Sequence, residues 1–198
     1  MYQIGVDEVG RGCFAGPVVA AAVLWDPAFE NDTLKKIKDS KKITEKNRNF
    51  LSMFIKENAL SYGICFVDSK TVDKFNILNA TFEAMHGAIK ECIDKIPNGI
   101  EIDQLLIDGN RFKKYNNIPH TCIPSGDSLH LSIASASIIA KVARDEYILK
   151  LCESQPDLHE KYDWKKNKCY GTKKHIEGIK QHGLTELHRK TFGICKEF

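Results

Sequence analysis

The sequence has no Cys-x-x-Cys pair. Its seven cysteines, at positions 13, 65, 92, 122, 152, 169 and 195, are scattered and odd in number. This spacing argues against a zinc site and against a disulfide framework, and leaves free thiols in a reducing cytoplasm as the expectation. Long hydrophobic runs are also missing. The apolar stretch 18–24 is far too short to cross a bilayer as a helix, and no charged segment with an apolar run behind it reads as a secretory signal. No internal repeat and no low-complexity linker is visible. Charge of one sign is scarce as well: 29 basic against 26 acidic residues leave a net charge of +3. Such a balance permits a polyanionic partner without demanding one.

What is present is the balance of a globular chain, 42% hydrophobic and 28% charged over 198 residues, long enough for one stable core without staples. Residues 2–7 and 17–25 read as strands joined by a Gly-rich turn, and residues 60–67 as a third strand. Val18, Val19 and Val23 among alanines suggest a strand buried on both faces. Thr44 can cap a helix running through Phe50, Phe54 and Ile55. Leu78, Phe82, Met85, Ile89, Cys92 and Ile96 recur every three or four residues, an apolar helical stripe that Pro97-Asn98-Gly99 stops. Residues 105–107 and 120–123 read as further strands. A long helix follows Asp127, with Ile133, Ala136, Ala140, Ala143 and Tyr147 on its buried face. Helices are expected at 173–181 and, more briefly, near 186–190. The order implies an α/β fold with a mixed sheet and a helical C-terminal appendage, 1–154 forming the core and 155–198 the appendage.

Asp7 and Glu8 close the first strand and Asp108 closes another. If those strands are parallel neighbours, their carboxyl ends deliver three acids to one crevice, where open α/β sheets place their sites. Asp127, just ahead of the long helix, could face the same crevice. Clustered carboxylates raise one another's pKa. Hard divalent cations such as Mg²⁺ or Mn²⁺ relieve that repulsion, and a pair of them serves phosphodiester hydrolysis. Each acid also has a plainer reading: Asp7-Glu8 as a solvated strand end, Asp108-Gly109 as a turn, Asp127-Ser128 as a helix cap.

The segment Gly5-Val6-Asp7-Glu8-Val9-Gly10-Arg11-Gly12, followed by Ala15-Gly16-Pro17-Val18-Val19, closely resembles the N-terminal signature of bacterial ribonuclease HII. Asp39-Ser40-Lys41-Lys42, Ile77-Leu78-Asn79-Ala80-Thr81 and Ile107-Asp108-Gly109 resemble further elements of that family, in order. So do Gly126-Asp127-Ser128 with Ile133 to Asp145, Tyr170-Gly171-Thr172 with His175, and His188-Arg189-Lys190 with Phe192. The resemblance covers essentially the whole chain. Cys13-Phe14 and Ser135 depart from the usual pattern.

The resemblance implies a ribonuclease H-like fold, a five-stranded mixed sheet flanked by helices with a C-terminal helical region. It implies Asp7, Glu8, Asp108 and Asp127 as catalytic, metal-binding acids with two Mn²⁺ or Mg²⁺ ions. It implies cutting of RNA/DNA hybrids, and of DNA duplexes on the 5′ side of an embedded ribonucleotide, leaving 3′-hydroxyl and 5′-phosphate ends, by a monomer. Gly10, Arg11 and Gly12 would sense the ribose 2′-hydroxyl and hold the adjacent phosphate. Tyr170 would stack on the deoxyribose that follows, and Lys41 and Lys42 would contact phosphates. Lys141, Arg144 and Asp145 are carried as structural. Lys165, Lys166, Lys168, Lys173 and Lys174 could form a local basic face. A silent binder of hybrids and a junction nuclease are the competing classes.

Overall fold

The computed structural model describes residues 1–38, 40 and 43–198. Five strands, β1 (Gln3–Val9), β2 (Val18–Leu24), β3 (Ser61–Val67), β4 (Gln104–Asp108) and β5 (His120–Ile123), form one sheet in the order β3-β2-β1-β4-β5. β1 pairs antiparallel with β2 and parallel with β4; β2–β3 is antiparallel and β4–β5 parallel. The expected mixed sheet is therefore present. β2 is buried at all seven positions, as its run of valine and alanine requires for a central strand covered on both faces.

Six helices accompany the sheet among the described residues: α1 (Glu45–Asn58), α2 (Ser69–Asp94), α3 (Leu131–Ser154), α4 (Asp157–Tyr162), α5 (Trp164–Asn167) and α6 (Lys173–His182). α2 packs on the face that carries Ile4, Val6, Ala22, Leu105 and Ile107. α1 and α3 cover the opposite face around Ala21, Val23, Leu51, Ile55 and Ile138. α3 lies so close to β1 that a Cβ on Gly5 would fall into the backbone of Ser132 and Ile133. A third core, of Ile148, Cys152, Leu158, Tyr162, Trp164, Cys169 and Ile179, joins the end of α3 to the C-terminal helices. None of the helices described is long and apolar enough to cross a membrane.

Local chemistry explains the boundaries. Thr44 caps α1 by accepting from Asn47 N–H, Asp68 caps α2 from Thr71 N–H, and Thr172 caps α6 from His175 N–H. α2 begins earlier than its apolar stripe and breaks at Asn76 (φ 65°, ψ 164°). The Asn76 Oδ1 accepts from the backbone of Leu78 and Asn79 at 3.0 and 3.1 Å, restarting the helix there.

Two sequence expectations are corrected. Tyr147 is not on the buried face of α3: it is 38% exposed and packs on Phe66, while Arg144 and Ile148 are buried instead. Past Ala140 the helix leaves the sheet and turns its inner face to the segment 13–17 and the third core. The expected helix near 186–190 does not form either. Its backbone bonds outward, Gly16 N–H to Leu187 O at 2.9 Å and Arg189 N–H to Phe14 O at 2.7 Å, with a bridge between Ala15 and His188.

Candidate active site

The parallel pairing of β1 with β4 sets Val6 opposite Ile107. Asp7 and Asp108, each the next residue, thus lie side by side where β4 ends, whereas β1 runs past the expected stop at Asp7-Glu8 to Val9, still paired with β2. Side chains alternate across a strand, and Asp7 points to the α3 face, where the Ser137 hydroxyl bonds its carboxylate. Ser137 Oγ in turn lies 2.9 Å from Ser40 Oγ. The Asp7 Oδ1 also accepts from the Glu8 amide at 2.7 Å. Glu8 pairs with Arg11 through Nη1 at 3.3 Å. Asp108 accepts from the Gly126 amide at 2.7 Å, tying the turn that carries Asp127 to the end of β4.

Asp7, Glu8 and Asp108 line one cleft of about 330 Å³ with Ser40, Ser137, Lys141 and Tyr170. Asp127 is buried on a 3₁₀ turn, Gly126–Ser128, that follows Ser125 in a left-handed conformation. It does not cap α3, whose N-cap is His130. It opens on the adjoining cleft of about 500 Å³ with Lys35, Lys38, Leu129 and His130. Three of the four acids thus share a cleft and the fourth stands beside it. Among the described residues no three acid, histidine or cysteine side chains are already gathered around a common ion position.

Burial, then the like charges of Glu8 and Asp108, push Asp7 well above the ordinary carboxylate range, against the Ser137 and Glu8 amide hydrogen bonds. Burial likewise raises Glu8, against the pull of Arg11. Burial and mutual repulsion make ionisation of these neighbouring carboxyls costly without a counter-charge beside them. Its donors are carboxylate oxygens, the set that suits a hard divalent cation. Asp7, Glu8 and Asp108 could hold one, with Asp127 approaching from the neighbouring cleft.

The Gly10-Arg11-Gly12 segment leaves β1 above two fully buried arginines. Arg144 gives Nε to Pro17 O at 3.0 Å, Nη1 to Lys168 O at 2.9 Å and Nη2 to Ala15 O at 3.2 Å. Arg189 gives Nη1 to Arg11 O at 2.9 Å, and Nε and Nη2 to Gly16 O at 3.1 and 2.9 Å. Two guanidiniums therefore replace ladder hydrogen bonds for the loop 11–17. Gly10 adopts φ +86°, and a Cβ there would run into the Arg144 guanidinium, whereas a Cβ on Gly12 would meet nothing within 4 Å. Fold packing demands the first glycine and not the second.

Tyr170 is bridged to Cys13, and burial pushes its phenol up to about 12. Its ring lies 5.9 Å from Lys141 Nζ, which is bonded to Asp145 at 2.8 Å. The two unusual sequence positions have local reasons. Phe14 fills the space over Gly171 and Gly193. Ser135 Oγ accepts the buried Trp25 indole at 3.0 Å. Asp39, Lys41 and Lys42 lie outside the described residues. Lys165, Lys166, Lys173 and Lys174 are exposed, while Lys168 is half-buried and bonds Lys165 O at 2.6 Å.

Sequence patterns did not point to Ser137 and Ser40 beside Asp7, nor to the carbonyl-binding role of Arg189. The one available signal was spacing: Ser137 and Lys141 are one helical turn apart on α3 and face the same cleft.

A sheet of this order with acids at the carboxyl ends of β1 and β4 is the ribonuclease H-like fold. Ribonuclease H2 from Pyrococcus horikoshii OT3 superposes with a TM-score of 0.75 at 24% identity, covering 100% of this chain and 96% of that one. Bst-RNase HIII in complex with Mn²⁺ also gives 0.75, at 22% identity, covering 100% of this chain and 68% of that one. In sequence, residues 4–195 match the family Ribonuclease HII. Ribonuclease HII of Christiangramia forsetii is 48% identical over 193 residues, 98% of this chain and 91% of that protein. Its counterpart in Bacteroides thetaiotaomicron is 46% identical over 194 residues, covering 98% and 90%. The chain belongs to the ribonuclease HII family, and is thus a ribonuclease H, an endonuclease producing 5′-phosphomonoesters.

Proposed function

We propose that the protein cuts a DNA duplex on the 5′ side of an embedded ribonucleotide, as well as RNA in RNA/DNA hybrids, leaving 3′-hydroxyl and 5′-phosphate ends, and so removes ribonucleotides from DNA. The observation that carries this is the convergence of Asp7, Glu8 and Asp108 in a cleft that Tyr170 also lines, with Arg11 anchored on Glu8. Asp7, Glu8, Asp108 and Asp127 would hold two divalent ions, Mg²⁺ or Mn²⁺. When bound, such ions supply Lewis-acid activation of water and stabilisation of the leaving oxygen.

The chain's own groups do the rest. Ser137 and the Glu8 amide hold the Asp7 carboxylate in one orientation. Arg144 and Arg189 fix the backbone of residues 11–17, so that the open side of Gly12 can meet a ribose 2′-hydroxyl. Arg11 holds a neighbouring phosphate with its planar fork. Tyr170 packs on the following deoxyribose, and Lys41 and Lys42 contact phosphates. Seven free cysteines suit a reducing cytoplasm, where a monomer would act.

The test is a labelled duplex with one ribonucleotide, incubated with Mg²⁺ or Mn²⁺. A single nick 5′ to the ribonucleotide, absent from the all-DNA duplex, is expected. An intact duplex after prolonged incubation with either metal would overturn the proposal.

A further inference from the structure

On the α2 side of the catalytic acids runs a groove whose outer part the cleavage chemistry does not use. Its narrow inner end is lined by Glu8, Arg11, Asp108, Phe82 and Arg111. Its outer end widens to about 390 Å³ and is lined by Phe75, Asn79, Phe82, Glu83, His86 and Lys113. Phe82 lines both ends, so the outer hollow stands beside the site across that one side chain.

Its walls are built rather than loose. Phe112 packs edge-on against Phe82, His86 and His120, with ring centroids 6.4, 5.4 and 5.1 Å apart. His86 also packs edge-on against Tyr115 at 5.2 Å, and its Nε2 lies 2.7 Å from Lys113 O. The segment 110–115 is thereby pinned to α2, and Arg111, Lys113 and Lys114 stand exposed on a fixed wall. On the other wall the break at Asn76 turns Phe75 outward, 48% exposed, with Lys74 Nζ 4.8 Å above its ring. Glu83 is the one acid among the described residues lining the outer end.

Resting on the proposed cleavage of nucleic acid, we propose that this groove is a second docking surface that holds one arm of the duplex beyond the cleft. Cations on a rigid wall neutralise successive phosphates, and an exposed aromatic ring supplies apolar contact to sugars and bases. Arg11 at one end and Lys113 at the other would track the same backbone away from the acids.

The experiment is fluorescence anisotropy with duplexes carrying one ribonucleotide and arms of graded length on either side. Wild-type affinity should rise with the length of one arm. The F75A/K113A double variant should bind the long duplex about tenfold more weakly, and its slope of log K against log salt should shrink by about one. K56A, in the last turn of α1 on the opposite face of the sheet, should match wild type. On unaltered protein, the long duplex should protect Lys113 and Lys114 from acetylation, read by mass spectrometry, and leave the reactivity of Lys56 unchanged. Equal affinity and slope in the double variant, or no protection of Lys113, overturns the docking surface alone if wild type still nicks the duplex. Failure of wild type to bind or nick any duplex overturns the cleavage proposal, and the docking surface falls with it.

Discussion

His175 and His188 face each other through their Nε2 atoms at 3.1 Å, and only one of them can carry the proton between them. Trp164 Nε1–H donates to His175 Nε2 at 3.0 Å, which makes that nitrogen an acceptor and puts the His175 proton on Nδ1, donated to Tyr170 O at 3.0 Å. Thr185 N–H donates to His188 Nδ1 at 2.9 Å, so His188 carries its proton on Nε2 and gives it to His175. Both rings are neutral and every nitrogen is used. The pair secures Tyr170 through its carbonyl and Ala15 through the bridge to His188.

Acid should undo this pair. Burial lowers His175, and burial together with His175 lowers His188 to about 4. Between that value and the ordinary histidine value of about 6.5 the unfolded chain binds more protons than the folded one. The stabilising effect is complete above about pH 6.5 and is lost as pH falls through the window, by roughly 3 kcal/mol for His188. Thermal unfolding from pH 7 to pH 4 should show the loss. The His188→Asn variant, less stable at pH 7, should lack that part of the acid dependence; a parallel fall in both proteins would contradict the assignment.

Asp7 carries the opposite sign. Its folded pKa is raised by burial and by its acidic neighbours, so the ionised carboxylate costs stability at every pH above its unfolded value and the cost fades as pH falls below the folded one. Asp7→Asn should therefore raise the Tm of the metal-free protein by a few degrees, about 2–5 °C, while lowering kcat by about a hundredfold or more. Added Mn²⁺ should raise the wild-type Tm and leave that of the variant nearly unmoved. Wild-type activity should rise with pH as Asp7 and Glu8 ionise, and higher metal concentration should move the rise to lower pH.

Gly10 and Gly12 should separate cleanly. Gly10→Ala forces a methyl into the Arg144 guanidinium at a positive φ, and should destabilise by about 1–3 kcal/mol. Gly12→Ala meets open space and should keep the wild-type Tm, while raising KM for a duplex with a single ribonucleotide about tenfold or more through the lost close approach. Denaturant unfolding beside steady-state cleavage measures both. Equal destabilisation by the two changes would refute the division of roles.

Much of this site could be read from residue order. Asp7-Glu8 at a strand end, Asp108-Gly109 at another and the flanking Gly-Arg-Gly triplet are contiguous features, and their order along the chain suffices to recognise the family. Of the stripe from Leu78 to Ile96, Met85, Ile89 and Cys92 lie on the buried face of α2, which Ala80, Ala84 and Ala88 complete, while Leu78 and Phe82 stand half-buried at the groove beside it and Ile96 follows the end of the helix. The stripe assigned to α3 held as far as Ala140 and then failed at Tyr147, since the partner changes there from the sheet to the loop 13–17 and the third core.

The sequence by itself determined the mixed sheet and the family, because turn glycines, motif order and local periodicity are properties of neighbours along the chain. Only the tertiary structure decided how the four acids are shared between two clefts and why Gly10 is glycine. It alone shows that Arg144 and Arg189, 45 residues apart in sequence, both bond carbonyls of the loop 11–17, Arg144 reaching Lys168 O as well. Contacts between distant segments depend on how the sheet, α3 and the C-terminal region close on one another, and no spacing within any single segment encodes that geometry.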